Sequence, residues 1–145
     1  MKDQVTSVEQ SKHLLGIGIP STLSSMSWVR VFERTGDSDD KTWGSWQLSI
    51  NPVDPKVDQE VIPAFTVGDL IRMLPPEEDI YNLVIGRSPN LGWDVRYNEH
   101  NSLSYIWPVH GYTLVNALVE MVEKVKKEED EDPFTLVSFT VTYFR

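Results

Sequence analysis

The chain has 145 residues, 40% of them hydrophobic and 24% charged, which is the size and make-up of one folded domain with an ordinary core. Acidic residues outnumber basic ones 22 to 13, for a net charge of −9, so general binding to a phosphate backbone, which needs a basic surface, is not expected. No cysteine is present, and that excludes disulfides, thiol catalysis, thiolate zinc sites and iron–sulfur clusters.

The first ten residues include Asp3 and Glu9 and no apolar stretch, so no secretory signal is expected. No run approaches the roughly 20 apolar residues of a membrane span. The expected compartment is the cytoplasm, and the expected organisation is a single domain over residues 1–145.

Thr6 and Glu9 have the spacing of a capping box, which predicts a helix over residues 7–15 that Gly16 and Gly18 end. Residues 21–26 add a short turn of helix. From Trp28 to Arg34 side chains alternate as in a strand. Residues 35–40 form a polar turn and 42–50 a partner strand, so 28–50 reads as a hairpin. Residues 51–64 contain Pro52, Pro55 and Pro63 and read as a loop. Thr66 with Asp69 caps a short helix that Pro75 and Pro76 end. Three alternating runs, Tyr81–Gly86, Gly92–Tyr97 and Leu103–Trp107, have short polar connections and predict a β-meander.

Residues 112–128 carry Leu114, Leu118, Met121, Val122 and Val125 on one helical stripe. Acids from Glu128 to Asp132 oppose the helix dipole, so the helix is expected to end before them. Residues 134–144 alternate as a final strand. The fold class is therefore α+β: a mainly antiparallel sheet of hairpin, meander and C-terminal strand, packed against one long helix, with a short N-terminal helix.

Several stretches together carry a likeness: Glu9-Gln10-Ser11 leading into Leu14-Leu15-Gly16-Ile17-Gly18-Ile19-Pro20, then Met26-Ser27-Trp28, Pro63-Ala64-Phe65-Thr66-Val67-Gly68-Asp69-Leu70, Met73-Leu74-Pro75, Gly92-Trp93-Asp94-Val95-Arg96-Tyr97 and Leu114-Val115-Asn116-Ala117-Leu118-Val119-Glu120-Met121. In this order they resemble short uncharacterised proteins of anaerobic gut bacteria and their mobile elements or phages. The resemblance implies a cytoplasmic, dispensable accessory protein. It carries over no activity and no functional residue.

Three histidines are present: His13, His100 and His110. His100 and His110 flank the third meander run, and Asp94 lies in the second. If the sheet brings them together, Asp94, His100 and His110 would form a divalent-metal site or an acid–base pair. Their spacing matches no established signature. The acids Asp37, Asp39 and Asp40 fail the calcium-loop template, because Lys41, Thr42 and Leu48 occupy its later positions. Gly16 and Gly18 follow a helix rather than a strand, and Ser21 stands where a dinucleotide fingerprint needs glycine. No Gly-x-Ser-x-Gly elbow occurs. No cofactor and no metal ligand set are assigned.

Five tryptophans are a surplus for this length, and tryptophan is enriched at protein interfaces. Trp93, Val95 and Tyr97, and likewise Leu103, Tyr105 and Trp107, read as core beneath the long helix. Trp43 and Trp46 are three apart on one strand, so a regular strand sends them to opposite faces. Trp28 and Phe32 share a face with Arg30 and Arg34. A partner-binding patch drawn from Trp28, Trp43 and Trp46 is the leading site, and a non-enzymatic protein-interaction or accessory module is the leading function. A small enzyme or metal binder using Asp94, His100 and His110 is the first alternative. An acidic protein that mimics nucleic acid, using the acids at 128–132, is the second. The partner is expected to be another protein rather than nucleic acid or membrane. The C-terminal strand, if it lies at a sheet edge, would also permit a homodimer.

Overall fold

A computed structural model describes residues 4–34, 41–75, 81–99 and 105–131. The chain is α+β and divides into two compact units, Met1–Asp69 and Leu70–Arg145. Each has its own antiparallel sheet, where the sequence reading takes a single sheet. The C-terminal strand expected over 134–144 lies outside the described residues.

In the first unit, α1 spans Val8–Gly16. Its capping box sits one residue later than expected. Ser7 Oγ accepts from the Gln10 backbone N–H at 3.1 Å, and Gln10 Oε1 accepts from the Ser7 N–H at 2.9 Å. Thr6 is engaged elsewhere. Its buried hydroxyl lies 2.7 Å from Ser11 Oγ and accepts from the Phe65 N–H at 3.0 Å. A hydroxyl that satisfies a buried amide is not available to cap a helix.

The sheet is centred on β1 (Met26–Arg34). On one side β1 pairs with β2 (Lys41–Trp43) and β3 (Gln47–Ser49), which together form the return arm of the expected hairpin. On the other side it pairs with β4 (Gln59–Ala64) from Met26–Ala64 to Val31–Gln59. The last six residues of the expected loop at 51–64 are thus a strand. The prolines conceal it, although Ile62 and Ala64 alternate onto the buried face. Pro63 has no N–H to donate and is tolerated because β4 is a sheet edge among the described residues. Val5, Val8, Met26, Trp28, Ile62 and Ala64 make the core, with Trp46 and Leu48 packed against it.

Helix α2 (Val67–Met73) begins with the capping box expected at Thr66 and Asp69. Thr66 N–H donates to Asp69 Oδ2 at 2.9 Å, and Asp69 N–H donates to Thr66 Oγ1 at 3.1 Å. Asp69 is fully buried and also accepts from the backbone N–H and the hydroxyl of Ser25. Burial by itself would raise its pKa. The hydrogen bonds from Ser25 and Thr66 outweigh burial and hold the carboxyl below its ordinary value.

In the second unit, β5 (Tyr81–Arg87), β6 (Trp93–Glu99) and β7 (Tyr105–Gly111) form the expected meander. A register shift between Val95 and Tyr97 sets Arg96 of β6 against two residues of β7, and Pro108 sits at this bulge. Helix α3 (Leu114–Glu131) packs on β6 and β7. Val95, Tyr97 and Val109 on the sheet and Leu118, Met121, Val122 and Val125 on the helix are buried. A Cβ at Gly111 would lie 2.4 Å from the Ala117 backbone nitrogen, so glycine there permits the close approach of helix to strand.

Helix α3 runs on to Glu131 rather than stopping before the acids. Lys124, Lys126 and Lys127 stand four residues before Glu128, Asp130 and Glu131, a spacing at which opposite charges support a helix. No helix among the described residues is long and apolar enough to cross a membrane.

Asp69 yields a direct prediction. Because its folded pKa is depressed, its contribution is fully present above the unfolded value, near pH 4, and is lost as pH falls through the folded value. Asp69→Asn should lower urea-unfolding stability at pH 7 by about 1–3 kcal/mol, with the gap to wild type narrowing below about pH 4. An unchanged gap across that range would contradict the assignment.

Candidate functional site

The hairpin of the first unit contains one residue more on its return arm than a regular ladder allows. Val29 pairs with Gln47 and Phe32 with Trp43. Between these pairs β1 supplies Arg30 and Val31, while the return arm supplies Gly44, Ser45 and Trp46. This is a β-bulge. It cancels the alternation expected of a regular strand and turns Trp43 and Trp46 to the same side. Both indoles meet Arg30, whose guanidinium carbon lies 4.6 Å from each ring centroid. The expectation of opposite faces for these tryptophans is therefore corrected.

Around this pair the face closes with three more contacts. Phe32 sets its ring edge-on to Trp43 at 4.5 Å between centroids. Arg30 Nε donates to Glu60 Oε2 at 2.7 Å, and the terminal nitrogen Nη2 bonds the same oxygen. Glu60 stands directly across from Arg30 in the β1–β4 ladder, so the register itself brings the charges together. The side chains of Arg30 and Glu60 remain 25% and 32% exposed.

Trp28 leaves the expected patch. It is buried, and its indole N–H donates to the Thr6 carbonyl at 2.8 Å. Trp46 is half-buried, and Trp43 is 42% exposed. One face of β1 thus changes character along its length. Met26 and Trp28 belong to the core with Val5 and Val8, whereas Arg30 and Phe32 lie beside the exposed Trp43. Glu60 was not among the residues expected at the site, because it falls in the proline-rich stretch. The signal available for the bulge was Gly44 between two strand tryptophans, since glycine inside a strand pattern often marks one.

The second expected cluster is present in part. Asp94 and His110 face each other across β6 and β7, and His110 Nδ1 lies 2.8 Å from Asp94 Oδ1. They sit on the sheet face opposite Val95 and Val109, and so away from α3. Their side chains are 38% and 43% exposed. They line a shallow depression of about 230 Å³ with Arg96 and Pro108, which the bulge places beside them. The carboxylate holds the imidazole through Nδ1, so the pair can exchange a proton with a group presented in the depression. Among the described residues no hydroxyl bonds to His110 and no three His, Asp or Glu side chains converge as metal ligands. His100 lies outside the described residues, as do the side chains of the acids at 128–132.

The two tryptophan roles separate in stability. Trp28→Ala should cost about 3–5 kcal/mol, as expected of an emptied core site. Trp43→Ala should cost about 1–2 kcal/mol, the sum of an aromatic pair and a partly exposed cation–π contact. Equal losses in urea unfolding would contradict the division of this face into core and open surface. In comparisons with protein-family models, curated proteins and solved structures, the chain matches none.

Proposed function

We infer that the protein is a small, non-enzymatic, cytoplasmic protein-interaction module whose contact surface is the open end of the first sheet. The observation that supports this most strongly is the arrangement of Trp43 and Trp46 about Arg30, with Trp43 exposed. Tryptophan and arginine dominate the energetics of protein interfaces, because each offers a large contact area with a directional polar group. Here they are also held in place before any partner arrives. Glu60 fixes the guanidinium, and the guanidinium fixes both rings. A surface ordered in advance loses little side-chain entropy on binding.

A second reading rests on Asp94 and His110. Their 2.8 Å contact beside an open depression is the arrangement of an oriented acid–base pair. It ranks lower because, among the described residues, no hydroxyl bonds to the imidazole as a nucleophile would.

A photo-crosslinking residue placed at position 43 tests the interaction reading in the native host. One discrete adduct should form at position 43 and be absent when the same residue is placed at Val57, which is fully exposed on the loop before β4. Equal labelling at both positions, or none at position 43, would count against this surface.

A further inference from the structure

The open end of the first sheet has the chemistry of a cation receptor whose cation comes from the chain itself. Two indoles lie at equal distance from one guanidinium, and a carboxylate bonds it from across the ladder. Aromatic faces with an anionic partner are how proteins recognise guanidinium and quaternary ammonium groups. Building on the reading of this surface as a partner site, we propose that Phe32, Trp43, Trp46 and Glu60 form a recognition cage for an arginine side chain of a basic partner. Arg30 fills the cage in the free chain, and the partner's arginine takes its place on binding.

The exchange is balanced. One guanidinium replaces another, so Glu60 is never left half-buried without a cation, which would be the costly state. Arg30 has a route outward, since a quarter of its side chain is already exposed. Trp43 offers a large exposed surface at the rim of the cage for an incoming side chain. The net charge of −9 draws basic partners and repels acidic ones. An arginine fits better than a lysine because a planar guanidinium can stack on an indole while donating to a carboxylate.

The test uses the full chain, with acetyl-arginine amide as the probe and acetyl-citrulline amide as its neutral counterpart. In Arg30→Ala the cage is vacated. This variant should bind the arginine probe saturably, read by tryptophan fluorescence and by a raised thermal midpoint. Wild type should bind it at least about tenfold more weakly, because Arg30 competes at the high effective concentration of a tethered group. The citrulline probe should not bind, and adding Glu60→Gln to Arg30→Ala should abolish arginine binding. If Arg30→Ala does not fold, Arg30→Met keeps the aliphatic packing and takes its place. A folded variant that shows no saturable arginine binding, or binds citrulline equally well, overturns the proposal. A partner that crosslinks at position 43 yet binds unchanged after its arginines are replaced by glutamine also overturns it, while leaving the interaction reading standing.

Discussion

One extra residue in the return arm of the first hairpin decides what the exposed surface of that unit can be. Without it, Trp43 and Trp46 would stand on opposite faces, and Arg30 would meet one ring at most. With it, both rings reach the same guanidinium. The bulge also interrupts the return arm between β2 and β3. Bulges commonly re-aim side chains at functional positions, and here the effect is to gather aromatic area around one charge.

The same face shows how a small sheet is finished where its helix cover gives out. Val5 and Val8 share a core with Met26, Trp28, Ile62 and Ala64. Beyond Trp28 the face carries Arg30 rather than another aliphatic residue. A long cationic side chain covers the adjoining rings with its stem and keeps its head accessible. Glu60 then neutralises that head across the ladder. The arrangement accounts for three of the five tryptophans in two ways. Trp28 is structural, with its indole N–H satisfied by Thr6, and Trp43 and Trp46 make a surface. In the second unit, the face turned from α3 likewise carries its polar cluster, Asp94 and His110, beside a bulge.

Much of this was legible in the sequence. Periodicity located the strands of both sheets except β4, although β7 runs four residues past the expected end at Trp107, and it located all three helices. The Thr66–Asp69 cap was correct because both partners are local. Its reinforcement by Ser25, 44 residues away, had no local signal. Thr6 was misread as a cap for the same reason, since its hydroxyl is claimed by Phe65 from across the fold. Strand β4 was hidden by prolines that an edge strand can tolerate. The tryptophan surface was located, but its geometry was not, because a single inserted residue reverses the parity on which face assignment depends. Asp94 and His110 were expected together as part of a cluster with His100, with His110 beyond the end of the third strand, whereas it lies inside β7 and meets Asp94 through the antiparallel register.

The central claim is that Trp43 and Trp46 share Arg30. The most direct measurement is a nuclear Overhauser spectrum of the Arg30 side-chain protons, resolved by selective labelling. The account predicts cross-peaks from the Arg30 δ-protons to the indoles of both Trp43 and Trp46, with those protons shifted upfield by the rings. Cross-peaks to one indole only, with the other tryptophan contacting residues of the opposite face such as Val29 or Val31, would show a regular hairpin and contradict it.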